Sequence, residues 1–434
     1  MTAAAGSAGA LVEAALDIAR GLESGATALG DGLTWEAEIA VGSDEDRPVL
    51  GYGDVGETLY DGTAGIALGL AACATVARPP EASAFSDAAR GAACHALAGG
   101  PDLLEAGRVG LFDGATGIAL GVATTGRVLD DTELLERAAA LAGDVAGRVE
   151  TQAADPSSGI ELDLIGGLAG VALGLQSVAG MARDTQLLKP LPAVGGLLAD
   201  AAAPQTWGSA WPTGAGLDGA PPLLGLGHGA AGIALALGEV AALSGDARVR
   251  RACNEGLEYE RGWFDPDRVA WPDLRDAGPA ADPPGWMAAW CHGAVGIGFS
   301  RLRLTRLNSD PLALVEASAA LQAARNLAVS AGTALRGGRE SDCTSCHGLA
   351  GVVELLLVAA QALEVAEHAR AARRVAGQLL EQRDAAGGAW SCGLPGAGEI
   401  PGLMTGTAGI ALTLLRAAGA VNIPTPLLPG SSGW

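Results

Sequence analysis

The stretch Ser341-Asp342-Cys343-Thr344-Ser345-Cys346-His347-Gly348-Leu349-Ala350-Gly351-Val352 decides how the chain is read. A Gly-x-x-Gly step heads an apolar run, and two metal-capable side chains, Cys346 and His347, stand just before it. A second copy lies upstream as Trp290-Cys291-His292-Gly293-Ala294-Val295-Gly296-Ile297, and a third keeps the histidine alone as Gly227-His228-Gly229-Ala230-Ala231-Gly232-Ile233. Four more copies lack the histidine: Asp61-Gly62-Thr63-Ala64-Gly65-Ile66, Asp113-Gly114-Ala115-Thr116-Gly117-Ile118, Gly166-Gly167-Leu168-Ala169-Gly170-Val171 and Thr405-Gly406-Thr407-Ala408-Gly409-Ile410. Between successive second glycines the steps are 52, 53, 62, 64, 55 and 58 residues. One or two matches in so Gly-rich a chain would be noise, but seven in near-regular order are a repeat.

Each motif opens a run that is apolar on nearly every side, which marks a buried helix. Two glycines one turn apart at its head let a neighbouring backbone come close, at some cost in helix propensity. Between these runs lie amphipathic segments, Leu11–Ser24, Ser86–Leu97, Asp131–Val149, Thr185–Ala201, Ala247–Glu260, Pro311–Ala331 and Val365–Arg383. An apolar helix alternating with an amphipathic one seven times predicts an all-α fold, a double α/α toroid of seven inner and seven outer helices. The ring must close, because its first and last pairs would otherwise expose apolar sides. One domain over residues 1–434 is expected, with an irregular tail from 422 to 434. Loops are expected at Gly42–Glu57, Pro204–Pro222, Pro266–Gly285 and Cys392–Gly402, carrying a lid-bearing face.

Composition excludes several function classes. With 27 basic against 49 acidic residues, a formal charge of −22, the chain repels nucleic acid and anionic membranes alike. No apolar run reaches the roughly 18 residues of a membrane span. The N-terminus carries Glu13 and Asp17 and no basic region, so no signal peptide is expected, and a soluble cytoplasmic protein follows. Seven cysteines in that setting read as metal ligands or free thiols before disulfides.

In a toroid the residue just before each Gly-x-x-Gly converges on the axis, at the start of an inner helix. Three of the five histidines, His228, His292 and His347, fill that slot in consecutive repeats, and Cys291 and Cys346 precede two of them. Zn²⁺ takes Cys sulfur and His nitrogen, and catalytic sites keep one position for substrate. Cys291, Cys346 and His347 therefore read as three zinc ligands. Two thiolates already cancel the ion's charge, so a third thiolate, from a substrate, would remain electron-rich and nucleophilic. Such soft ligands suit a sulfur substrate better than water activation.

These motifs resemble the signatures of the lanthionine synthetase C-like cyclases. The Leu59-Tyr60-Asp61-Gly62-Thr63-Ala64-Gly65-Ile66 start and the Trp290-Cys291-His292-Gly293 form look most like the cyclase domain of bifunctional lanthipeptide synthetases. The resemblance covers essentially residues 10–420. It implies a double α/α toroid with one zinc, adding peptide cysteine thiols to dehydroalanine or dehydrobutyrine to give lanthionine or methyllanthionine rings. It assigns zinc to Cys291, Cys346 and His347, acid/base chemistry to His228, and an acidic partner to Asp163. It also implies a dehydrated precursor peptide as substrate and, since the chain shows no dehydratase segment, a separate dehydratase or kinase/lyase protein. Stand-alone members carry an arginine one turn before the first zinc cysteine. Here that position is Met287, which leaves enolate stabilisation to zinc, His228 or Arg301.

Other readings stand beside this one. Cys343-Thr344-Ser345-Cys346-His347 spells the c-type haem attachment motif, but that needs export and leaves Cys291 unexplained. Cys343 as a fourth ligand would make the zinc structural and the chain a peptide-binding toroid. The same zinc could instead add a small thiol such as glutathione to an electrophilic peptide. Asp163 could be a helix cap, as Asp61 and Asp113 are expected to be.

Overall fold

A computed structural model describes residues 7–44, 47–153, 161–213, 220–275, 285–307, 310–393 and 397–430. It contains fourteen α-helices among the described residues. The seven that the motifs open are α2 (Thr63–Ala74), α4 (Ala115–Val128), α6 (Leu168–Ala182), α8 (Ala230–Ser244), α10 (Ala294–Leu307), α12 (Leu349–Ala362) and α14 (Thr407–Ala418). Alternating with them are α1 (Ala8–Ser24), α3 (Glu81–Glu105), α5 (Thr132–Ala153), α7 (Leu191–Asp200), α9 (Ala247–Gly262), α11 (Pro311–Arg336) and α13 (Ala366–Ala385). None of the helices described is long and apolar enough to cross a membrane.

Backbone geometry explains the motif. In five copies the first glycine is an extended N-cap, as at Gly62 (φ −92°, ψ −171°) and Gly348 (φ −111°, ψ −166°), while Gly293 of the fifth copy has φ +97°. The motif's second glycine lies beneath a carbonyl six residues earlier. At Gly296 a Cβ would sit 2.0 Å from the Trp290 carbonyl oxygen and 2.7 Å from the Leu226 Cβ of the preceding turn. Gly65 meets Leu59 and Leu403 in the same way, at 2.5 and 2.6 Å, and Gly170 meets Leu164 and Leu111. Only a hydrogen fits at these glycines, so their turns seat on neighbouring ones. Every residue of α2 is buried, as an apolar helix of this kind requires.

Successive turns are also stitched by backbone hydrogen bonds at one register position, the residue before the slot. The Phe112 N–H donates to the Ile165 carbonyl (3.0 Å), Gly227 to Cys291 (2.9 Å), Cys346 to Met404 (2.9 Å) and Met404 to Tyr60 (2.7 Å). The last of these joins the seventh turn to the first.

The chain folds into two compact units. The first comprises 1–106, 117–141 and 328–427. In it α14 packs on both α1 and α2, so the two ends of the repeat meet. Arg416 of α14 grips both oxygens of Glu354 on α12 at 2.9 Å, in nearly dry surroundings. The second comprises 107–116, 142–327 and 428–434, where α8 packs against α6 and α10. There Arg301, fully buried, bonds Glu260 (2.9 Å) and Glu316 (2.5 Å), and Arg261 extends the network to Asp310 (2.9 Å). A buried charge of this kind is tolerated only when paired.

Loop tryptophans close the ends of amphipathic helices. The indole N–H of Trp35 donates to Leu22 of α1 (2.8 Å), that of Trp211 to Leu198 of α7 (2.7 Å), and that of Trp271 to Glu260 of α9 (3.0 Å). Each satisfies a last-turn carbonyl that has no partner within its helix.

The structure departs from the sequence expectations in several places. The expected loop Gly42–Glu57 lies largely in a hairpin, β3 (Glu36–Asp44) with β4 (Arg47–Asp54), which follows a shorter one, β1 (Thr27–Leu29) with β2 (Gly32–Thr34). Glu38 pairs with Tyr52, Ile39 with Gly51 and Ala40 with Leu50, and the register shifts before Gly42 pairs with Val49, so the strands carry little of the regular alternation that would mark them in sequence. The expected loops Pro204–Pro222 and Pro266–Gly285 each hold short paired strands and partly lie outside the described residues, as does Cys392–Gly402. The segment Thr185–Ala201 breaks into a 3₁₀ turn, Thr185–Leu188, and α7, because Pro190 and Pro192 interrupt the hydrogen bonding. Residues 422–430 of the tail are irregular but not loose, with Leu427 buried and Gly430 accepting a bond from Ser177, while 431–434 lie outside the described residues.

Candidate metal centre

Cys346 and His347 stand directly before the Gly348 cap of α12. The Cys346 N–H bond to Met404 fixes their backbone, and Asp342 accepts the Thr344 N–H (2.7 Å), tightening the loop that leads in. Cys346 is fully buried, and His347 keeps its ring about a third exposed. Its Nδ1 lies 4.0 Å from Asp342 Oδ2.

Cys291 occupies the equivalent position before Gly293, and its carbonyl accepts the Gly227 N–H. Gly293 has φ +97°, and a Cβ there would meet the Met287 carbonyl oxygen at 1.8 Å, so glycine is required. Cys291 is also buried.

One ligand atom each from Cys291, Cys346 and His347 lie within 4.8 Å of one another, the one such group of three among the described residues. Two thiols and an imidazole are the donor types that zinc takes, so the chemistry of this set fits that ion. Cys343 is not in the group. Burial, and then the Asp342 charge, push its thiol up to about 12, and its Sγ faces the Ser341 carbonyl at 3.7 Å.

His228 stands in the slot before α8. Its Nδ1 is 2.6 Å from Oδ2 of Asp163, whose Oδ1 accepts the Gly166 N–H at 2.9 Å. Asp163 is almost fully buried and His228 about a quarter exposed. Burial pulls the His228 pKa down, but the Asp163 bond and charge, with Cys291 and Glu161, outweigh it and the net shift is upward. Glu260 Oε1 accepts from Gly225 (2.8 Å) and Ala231 (3.1 Å), clamping both sides of the His228 turn. The ring of His292 lies 5.9 Å from that of His228, centroid to centroid, and burial lowers its pKa.

Arg301 does not serve the site, since two glutamates hold it in the core. Another arginine, Arg275, is near enough to His292 for its charge to join burial in lowering that histidine's pKa. Arg275 pairs with Asp273 (2.6 Å) and lays Nη2 3.5 Å from the sulfur of Met287. No motif marked Arg275, which follows a two-residue strand in an irregular loop. Asp61 and Asp113 are not simple caps. Asp61 accepts both the N–H (3.1 Å) and the Oγ1–H (2.7 Å) of Thr405, and Asp113 Oδ1 is buried without a hydrogen-bond partner among the described residues.

One further contact escaped the sequence reading. The Tyr60 hydroxyl donates to Cys346 Sγ at 2.9 Å. The signal was present, because Tyr60 holds in the first repeat the register position that Cys291 and Cys346 hold in the fifth and sixth.

Comparison with known proteins supplies the rest. Among solved structures the chain is similar to one named "Nisin cyclase", with a TM-score of 0.62, 17% identity, 85% of this chain covered and 90% of the other. At that identity the likeness carries the fold, and the fold is the α/α toroid that the helix alternation predicts. No curated protein matches the sequence. A family model described as "Lanthionine synthetase C-like protein" matches residues 53–428, nearly the whole repeat. The chain belongs to the lanthionine synthetase C-like family.

Proposed function

We propose that the chain is a zinc-dependent lanthipeptide cyclase, acting as one domain on a dehydrated precursor peptide that a separate dehydratase or kinase/lyase protein supplies in the cytoplasm. The observation that carries this is the convergence of Cys291, Cys346 and His347 donors within 4.8 Å, inside a family of cyclase type. In the reaction a cysteine S–H adds across the C=C of dehydroalanine or dehydrobutyrine. Sulfur bonds the β-carbon and a proton ends on the α-carbon, with no change in mass. Cys291, Cys346 and His347 would hold the zinc, which when bound would supply a Lewis acid able to favour an ionised substrate thiol near neutral pH. His228 takes the thiol proton at Nε2 or returns one to the α-carbon, while Asp163 on Nδ1 fixes the ring and its tautomer. Arg275, held by Asp273 over Met287, offers a guanidinium where negative charge grows on the substrate carbonyl. The N-terminal ends of α8, α10 and α12 lie next to His228, Cys291 and Cys346 and favour anions there.

The test is a peptide carrying one cysteine and one dehydroalanine. With the purified protein it should lose its alkylatable thiol without any external thiol. His228→Ala should slow the loss by about 10²–10⁴-fold and retain its metal. Consumption of dehydroalanine only when glutathione is added would replace this reading with small-thiol transfer.

A further inference from the structure

We propose that Tyr60 is a positioning residue of the metal centre, its phenol O–H holding the Cys346 sulfur in place and drawing off part of its negative charge. This rests on the reading of Cys346 as a metal ligand. Three bonds form a closed ring. Tyr60 Oη donates to Cys346 Sγ (2.9 Å), the Cys346 N–H donates to the Met404 carbonyl (2.9 Å), and the Met404 N–H donates to the Tyr60 carbonyl (2.7 Å). All three residues occupy the same register position in the first, sixth and seventh turns. The ring is pinned on both sides. Leu59 is fully buried beneath Gly65, and Asp61 accepts twice from Thr405. Tyr60 therefore has its backbone fixed at the place from which its side chain reaches sulfur.

Burial makes that bond consequential. Cys346 is fully buried, so water is a poor substitute as donor to its sulfur. A hydrogen bond to a ligand sulfur orients its lone pair and lowers the electron density it gives the metal, which is how outer groups tune a centre. Polar networks closed in this way also rigidify the groups they join.

The test uses the full chain loaded with Co²⁺, whose sulfur-to-cobalt charge-transfer band reports the electron density on the thiolates. Tyr60→Phe should move that band to longer wavelength, and chelator competition should show metal affinity weakened by about 10–100-fold. Thr405→Val, which loosens the Asp61 contact without touching sulfur, should leave the band in place. An unmoved band in Tyr60→Phe, or an equal shift in Thr405→Val, would overturn the inference. Should Tyr60→Phe fail to fold, 3-fluorotyrosine labelling of the chain's three tyrosines decides instead. The stronger phenol donor should shift the band to shorter wavelength, and no shift refutes the assignment. Wild-type protein that takes up no cobalt removes both this inference and the metal reading. Cobalt uptake with an insensitive band removes this inference alone.

Discussion

Asp163 shows how much one side chain can carry. One oxygen ties down the Gly166 N–H and so shapes the turn before α6, while the other holds His228 Nδ1. The first role is structural and survives in an isosteric amide that keeps a carbonyl oxygen. The second depends on charge. Burial acts to lower the His228 pKa and the Asp163 bond and charge act to raise it, with a net rise. Asp163→Asn removes the raising partner and leaves the burial, so the His228 midpoint must fall. A group whose folded pKa is raised stabilises the fold below its unfolded value, about 6.5, and loses that contribution as pH climbs through the folded value. The variant should therefore be destabilised relative to wild type at pH 5.5 more than at pH 9. NMR titration of the His228 ring should show a lower midpoint, and the matching limb of the cyclisation pH profile should move to lower pH. A midpoint that stays in place would mean that the carboxylate shapes the turn without tuning the imidazole. At this scale the sequence was unevenly readable. Slot and residue type single out His228, Cys291, Cys346 and His347 in the sequence, and the last three bring their donor atoms within 4.8 Å of one another. Asp163 sits three residues ahead of its slot, where spacing alone cannot pair it with a histidine 65 positions away. Tyr60 had the right register but a residue type that looks like core.

The elements are legible for a different reason, that the repeat is enforced by contact between backbones. At Gly65, Gly170, Gly232, Gly296 and Gly409 the second glycine lies under the carbonyl six residues earlier and against a neighbouring turn, so the Gly-x-x-Gly spacing is a direct record of helix seating. What escaped were features with no helical period. The β3–β4 hairpin has only a few alternating residues per strand, and the tryptophan caps on α1, α7 and α9 are single contacts. Gly296 provides the sharpest test of the seating argument. An added methyl would press on the Trp290 carbonyl and on Leu226, neither of which is a flexible side-chain end. Gly296→Ala should cost about 1–3 kcal/mol from overpacking, read as a lower denaturant midpoint at unchanged m-value. Because Trp290 immediately precedes Cys291, metal affinity should fall with it. Gly9→Ala, in open space near the start of α1, should instead be neutral or slightly stabilising. Equal effects at the two positions would show that the motif glycines do not seat the turns.

At the scale of the first unit, the seventh turn bonds the first and α14 covers α1 and α2, so the two ends of the repeat are joined there by packing and backbone pairing. The proposed ligands come from two turns whose backbones are fixed through Gly293, Gly348 and the stitching bonds at Cys291 and Cys346. A bound ion should then add stability only by mass action, about 3–4 kcal/mol at 100–1,000 times its Kd. Chelation should lower Tm by a few degrees and leave the far-UV circular dichroism unchanged, with recovery on adding Zn²⁺. Cys291→Ala should behave like the chelated protein, folded, weak in metal and without cyclisation. A structural zinc makes the opposite demand, because a small metal domain that loses a ligand loses its fold. Collapse of the helical signal in Cys291→Ala, or on chelation of the wild type, would therefore move the ion from chemistry to scaffolding. A folded, metal-poor and inactive variant is the result that the preformed cysteine and histidine turns require.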